Sequence, residues 1–126
     1  MSENIIVTGA TSGIGLELTK SLISKGHTVY AVGRNSEKYV LNIERWCSEN
    51  GFGGLSKWVQ CDFSNLDGIS VAELEKLPVF NGFVNSAGIL PVSPLKLQKN
   101  KDIIEAFNIN LIAPMLLTRD LLKSKR

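Results

Sequence analysis

Three glycines, Gly9, Gly13 and Gly15, stand close together in the stretch Thr8-Gly9-Ala10-Thr11-Ser12-Gly13-Ile14-Gly15. Glycine adopts positive φ at little cost and lets a backbone approach a ligand closely. The apolar run Ile5-Ile6-Val7 leads into the stretch, and an amphipathic segment, Leu16 to Lys25, leads out of it. A strand, a glycine turn and a helix in that order expose the unpaired N–H groups of the first helical turn. The positive end of the helix dipole lies there too, and the combination suits a phosphate. The spacing is G-x-x-x-G-x-G and not the common dinucleotide fingerprint G-x-G-x-x-G. The plainer alternative is a glycine-rich turn that holds no ligand.

A second candidate follows the second apolar run. Dinucleotide-binding folds discriminate between NAD and NADP at the end of strand 2. An acidic residue there pairs with the ribose 2′-OH, whereas an arginine accommodates a 2′-phosphate. In this chain Gly33 and Arg34 occupy that end, with Asn35 and Ser36 as further donors, and no acidic residue occurs until Glu37. A guanidinium fork matches phosphate geometry, so the pattern predicts NADP(H) in preference to NAD(H). The competing reading of Arg34 is a solvated surface arginine.

These residues need a frame, and the apolar pattern supplies one. Strands are predicted at Asn4–Thr8, His27–Val32, Leu55–Cys61 and Phe80–Asn85. Strand 1 is apolar without alternation, and strand 2 is again apolar and β-branched, as parallel strands covered on both faces are. The helix after strand 1 places Ile14, Leu18 and Leu22 on one face, with Gly26 as its C-cap. A second helix is predicted from Glu37 to Glu49. Ser70 and Glu73 form a capping box for a short helix, Val71 to Lys76, which Pro78 breaks. A last helical segment runs from about Lys99 to Lys123, and Pro114 should kink it. The β-α alternation predicts a Rossmann-like, doubly wound parallel sheet of about four strands with helices on both faces. Ligands of such sheets sit beyond the carboxyl ends of the strands, where the candidate residues fall. His27, the single histidine, reads as a surface or capping residue.

Bulk properties narrow the function. The chain has 126 residues, 44% of them hydrophobic and 21% charged, with a formal net charge of +2. That is ordinary globular composition, sized for one domain. No large field argues for nucleic acid or a membrane surface, and no apolar run reaches the roughly 18 residues that span a bilayer. No signal peptide is visible after Met1-Ser2-Glu3-Asn4. Cys47 and Cys61 stand apart with no C-x-x-C, so they read as reduced thiols of a cytoplasmic protein, and no metal site is predicted.

The stretch T-G-A-T-S-G-I-G after an N-terminal strand resembles the cofactor motif of the short-chain dehydrogenase/reductase family. The resemblance runs from Asn4 through the last helix. It implies that Gly9, Thr11, Ser12, Gly13, Ile14 and Gly15 bind the cofactor alongside Arg34 and Asn35. It implies that Asp62, with Phe63 beside it, meets the adenine amine; a turn cap is the alternative for Asp62. Asn85-Ser86-Ala87-Gly88 resembles the family's N-N-A-G, so Asn85, Ala87 and Gly88 are expected near the cofactor's ribose, with Ser86 in place of the second asparagine. Asn110 matches the helix asparagine of the family's proton relay, with Asn108 the weaker candidate.

The resemblance implies an NADP(H)-dependent oxidoreductase that moves a hydride between nicotinamide and a carbonyl or hydroxyl carbon. The implied assembly is a homodimer or homotetramer. The family's Tyr-x-x-x-Lys pair is not found, because Tyr30 is followed four residues on by Arg34 and Tyr39 by Ile43. The chain therefore reads as the cofactor-binding, N-terminal portion, expected to be inactive alone. A second reading is a non-catalytic NADP(H)-binding sensor or regulatory module.

Overall fold

The computed structural model of the chain describes residues 2–64, 80–89 and 93–124. Four strands, β1 (Asn4–Thr8), β2 (Thr28–Gly33), β3 (Ser56–Gln60) and β4 (Gly82–Asn85), form one sheet in the order β3-β2-β1-β4. All pairings are parallel, with Ile6 opposite both Tyr30 and Phe83, and Ala31 opposite Trp58. The expected architecture is therefore the observed one. Strand β1 has its predicted bounds, β2 is shifted by one residue, and β3 and β4 are shorter than the runs that predict them. Phe80 lies before β4, where its ring meets Tyr30 edge-on at 5.2 Å. His27 also lies outside its strand, and its Nδ1 accepts a hydrogen bond from the Glu3 amide.

Alternation along the strands divides the interior into two cores. Ile5, Val7, Val29 and Ala31 point to one face and pack with Ile23, Tyr39, Ile43 and Cys47. Ile6, Tyr30, Val32 and Val59 point to the other and pack with Phe63, Ile109, Ala113 and Leu117. Helices α1 (Gly13–Ser24) and α2 (36–49) supply the first set; α3 (100–124) supplies Ile109, Ala113 and Leu117 of the second, and Phe63 comes from the segment after β3. Each fully buried isoleucine or leucine of this kind stabilises the fold by roughly 1.5–3 kcal/mol. Among the described residues no helix is long and apolar enough to cross a membrane.

The helices depart from the sequence reading in three ways. The first concerns α1, which buries Gly15, Thr19 and Ile23 and not the Ile14-Leu18-Leu22 face. Ile14 is 83% exposed. The reason is steric. Gly15 sits so close to the end of β1 that a Cβ there would lie 2.0 Å from the Gly9 carbonyl oxygen. A helix seated that tightly turns its smallest residue, not its apolar ridge, toward the strand. Two backbone bonds at Gly26, from its own amide to Ile23 and from His27 to Leu22, then end α1 in a Schellman arrangement.

The second difference is a π-helical turn inside α2, Val40–Glu44, between the α-helical pieces Ser36–Tyr39 and Arg45–Glu49. The third is a π-helical turn in α3, Asn108–Ile112, between Asn100–Phe107 and Ala113–Ser124. There the Ala113 amide donates to the Asn108 carbonyl, five residues back. Pro114 follows at once. Its missing N–H would interrupt an α-helical ladder at that point, and the wider turn is the form that the expected irregularity takes. The capping box at Ser70 and Glu73, the short helix Val71 to Lys76, and Pro78 lie outside the described residues.

The Gly15 seating makes a direct prediction. Gly15→Ala forces a backbone shift and should destabilise the fold by about 1–3 kcal/mol, a fall of several degrees in Tm. Gly53 serves as the control, because a Cβ added there would meet nothing within 4 Å, and Gly53→Ala should melt near wild type. Equal Tm values for the two variants would show that close approach does not seat α1.

Candidate cofactor site

The glycine turn is built to leave donors free. Ser12 is the extended N-cap of α1, and its side chain makes no capping bond. The first turn carries no acidic residue, so nothing in it offsets the positive end of the dipole. Ser12, Gly13 and Ile14 are exposed. Gly13 has φ +55° and nothing within 4 Å of where a Cβ would stand. The turn thus has a bare backbone facing open space, as a phosphate site requires. Thr11 lies half-buried behind it, and its carbonyl accepts a 2.8 Å bond from Asn42 Nδ2 in α2.

Gly9, with φ +63°, closes the other side. A Cβ on Gly9 would lie 2.6 Å from the Ala87 amide nitrogen, so the turn packs against the end of β4 backbone to backbone. Thr8, fully buried, joins the two strand ends. Its hydroxyl donates to Asn85 Oδ1 at 2.8 Å and accepts from the amides of Ser86 and Ala87 at 3.1 and 3.2 Å. Asn85, Ala87 and Gly88 are in this way brought alongside the glycine turn. The side-chain oxygen of Asn85 is already engaged within the fold.

At the ends of β2 and β3, Arg34 is exposed and its carbonyl accepts from Gln60 Nε2 at 2.7 Å. Asn35 is expected from its position to be a phosphate donor, yet its side-chain oxygen caps α2 by accepting from the Lys38 amide at 3.1 Å. Asp62 is exposed, and one of its oxygens accepts from the Ser64 hydroxyl at 2.7 Å and the Ser64 amide at 2.9 Å. Those two bonds, with a smaller contribution from the Arg34 charge, hold its carboxyl below the usual carboxylate range. Asp62 therefore caps a turn, and its second oxygen makes no bond to Ser64. The Phe63 ring is buried in the core beneath, so only its backbone faces the strand end.

Asn110 lies on the π-helical turn of α3. Its amide grips the backbone of Ile89 from both sides, Nδ2 donating to the carbonyl and Oδ1 accepting from the amide, each at 2.7 Å. A Cβ on Gly88 would come within 3.2 Å of Asn110 Oδ1. Asn110 thus holds the segment after β4 in place, and its side chain is committed to that contact. Neither tyrosine is available as an acid. Tyr30 is 8% exposed within its strand, and Tyr39 is 7% exposed, bonded to Ser56 Oγ at 2.8 Å and stacked on Trp58. Burial raises the Tyr39 hydroxyl above its ordinary pKa and raises the Cys47 thiol likewise. Among the described residues no three of His, Cys, Asp and Glu gather as metal ligands.

The structure adds four residues to those read from the sequence. Thr8, Asn42, Gln60 and Ser64 contact the predicted residues without being predicted themselves. Thr8 opens the glycine motif and is marked by that position. Asn42 and Gln60 act across 31 and 26 residues of chain, which no local pattern marks, whereas Ser64 lies two residues from Asp62.

A family description of short chain dehydrogenases matches residues 3–126. The chain is similar to a 3β-hydroxysteroid dehydrogenase of Mediterraneibacter gnavus, 38% identical over 92 residues that make up 71% of this chain and 32% of that protein. It is also similar to carbonyl reductase family member 4 of Danio rerio, 30% identical over 119 residues, 92% of this chain and 48% of that one. Among solved structures, an actinorhodin polyketide ketoreductase with NADPH superposes with a TM-score of 0.82 at 27% identity, over 98% of this chain and 47% of that chain. The chain spans about half the length, or less, of the curated relatives it matches. With the glycine turn, the parallel order β3-β2-β1-β4 and these likenesses in agreement, the chain belongs to the short-chain dehydrogenase family.

Proposed function

We propose that this chain forms the NADP(H)-binding portion of an oxidoreductase that transfers a hydride between nicotinamide and a carbonyl or hydroxyl carbon. The observation that carries the reading is the gathering of a bare glycine turn, Arg34, Asp62 and the Asn85–Gly88 segment at the carboxyl ends of four parallel strands. The amides of residues 12–15 would hold the pyrophosphate. Arg34 would hold a 2′-phosphate, since no carboxylate stands at the end of β2 to select a free 2′-OH. Asp62 keeps an acceptor for the adenine amine, and Asn85, Ala87 and Gly88 border the ribose. The ketoreductase neighbour's NADPH supports this choice of cofactor. Bound there, the cofactor supplies or takes up a hydride.

Proton transfer to the substrate oxygen needs an acid, and general acid catalysis typically contributes 10²–10⁴-fold. Tyr30 and Tyr39 are buried in structural roles, so we place the Tyr-x-x-x-Lys pair in the part of the relatives' length that this chain does not span. The 126 residues then bind cofactor without turning over substrate, and in this form they behave as the single N-terminal domain of a longer enzyme. A cytoplasmic setting goes with this reading, where a buried thiol such as Cys47 stays reduced. Burial of exposed apolar residues supports self-association. Ile104, Phe107, Leu111 and Met115 are 59%, 56%, 50% and 62% exposed along one face of α3, a spacing that makes a contiguous stripe.

Three measurements test the reading. Wild type should bind NADPH more tightly than NADH, and Arg34→Ala should weaken NADPH roughly ten- to hundredfold while sparing NADH, the value of a charge-assisted hydrogen-bonded pair. Equal affinities in wild type would remove the NADP assignment. The purified chain, mixed with NADPH and a panel of ketones, should show no loss of NADPH absorbance; turnover would prove that another residue serves as acid. Light scattering should report a dimer or larger assembly that Leu111→Glu dissociates, and a wild-type monomer at high micromolar concentration would refute the stripe's role.

A further inference from the structure

We infer that Asn42 is a positioning residue for the cofactor's pyrophosphate, acting through the Thr11 carbonyl, an inference that rests on the NADP(H) reading of the site. Thr11 lies just before the N-cap of α1. Its carbonyl is outside the helical ladder, and the Asn42 side chain, 31 residues away, supplies the partner at 2.8 Å. A trans peptide is planar, with its C=O and N–H pointing in opposite directions. Fixing the Thr11 carbonyl toward α2 therefore fixes the Ser12 N–H away from α2. It also keeps a carbonyl dipole from swinging among the amides of residues 12–15, where it would repel a phosphate.

Asn42 is set up for this by the irregularity of its own helix. It is the central residue of the π-helical turn Val40–Glu44, and such turns are rare and concentrate at functional sites. Its neighbours Tyr39, Ile43 and Cys47 are buried against the sheet, which anchors the turn from which Asn42 reaches out. The same helix begins at Asn35, which caps it directly after Arg34. Helix α2 consequently joins the 2′-phosphate end of the site to the pyrophosphate end, with Arg34 at its start and Asn42 two turns along. Gly13, with φ +55°, gives the backbone freedom on the helix side of Thr11. A Cβ at Gly13 would meet nothing within 4 Å, so no side-chain packing holds the turn there, and the Asn42 bond restrains it.

The test separates the two ends of the cofactor on the chain as it stands. NADPH reports on the whole site. Adenosine 2′-monophosphate carries the adenine and 2′-phosphate and has no pyrophosphate, so it reports on Arg34 and Asp62 alone. Asn42→Ala should raise the Kd for NADPH about fivefold, the scale of one net hydrogen bond, and leave the 2′-monophosphate titration unchanged. Asn42→Asp is isosteric but sets a carboxylate against the Thr11 carbonyl and near the diphosphate, and should weaken NADPH further. Asn42→Gln, which keeps the amide donor, should recover part of the loss. Amide hydrogen exchange at residues 12–15 should quicken in Asn42→Ala without ligand.

Unchanged NADPH affinity in Asn42→Ala would overturn the inference. So would parallel loss of NADPH and 2′-monophosphate binding with a lowered Tm, which would mark Asn42 as a residue of the fold only. A wild-type chain that binds the 2′-monophosphate and not NADPH would overturn this inference and leave Arg34 standing. Failure to bind either would overturn the cofactor reading itself.

Discussion

The structure depends on one constraint, the approach of three backbone segments at the carboxyl end of β1 with no side chain between them. Gly15 meets the Gly9 carbonyl, and Gly9 meets the Ala87 amide. A Cβ at either position would part α1 from β1, or β1 from the end of β4. Thr8 completes the junction by sharing one hydroxyl among Asn85, Ser86 and Ala87. Each of these polar groups is thereby satisfied inside the protein, where leaving it unmet would be costly. What remains unsatisfied is the first turn of α1, and it points outward.

The two cores serve that junction. Alternate residues of β1 and β2 anchor α1 and α2 on one face and α3 on the other. Helix α3 carries Asn110, which clamps Ile89 just beyond β4. Helix α2 follows Arg34 and reaches back to Thr11. The residues of the candidate site are therefore supported from both sides of the sheet. The supports are polar bonds to backbone atoms more often than contacts between side chains, which suits a site whose own ligand contacts are largely backbone amides.

Much of this is readable from the residues. Strands β1, β2 and β4 show because each is a short, largely apolar run closed by glycine or asparagine, as a parallel sheet needs, whereas β3 carries Ser56, Lys57 and Gln60 beside Trp58 and Val59. The glycine spacing locates the turn, and Arg34 stands out because no carboxylate competes with it. The buried face of α1 is harder to read. An apolar ridge is the usual guide to packing, and here a glycine's lack of volume outweighs it. Pro114 flags one irregular helix. Nothing flags the other, since no residue type encodes a π-helical turn and the Asn42–Thr11 bond spans 31 residues. Asn35 and Asn110 are recognisable as polar residues near the site. The side-chain oxygen of Asn35 is engaged by Lys38 and both side-chain atoms of Asn110 by Ile89, which only the folded chain can show.

The strand order also has a consequence for chain entropy. In the β1–β2 seam Asn4 faces Thr28, whereas the Thr8–Asn85 bond of the β1–β4 seam joins residues 77 apart. Loop closure grows with the logarithm of loop length, so the longer connection costs about 1 kcal/mol more to close. Strand β4 is also the shortest, four residues, and lies at the border of the sheet. The seam beside the glycine turn is thus the one with the most to lose in disorder and the fewest ladder bonds to resist it. Any molecule that touches both the turn and the Asn85–Gly88 segment acts as a clasp across it, so its binding energy is also cohesion of the sheet.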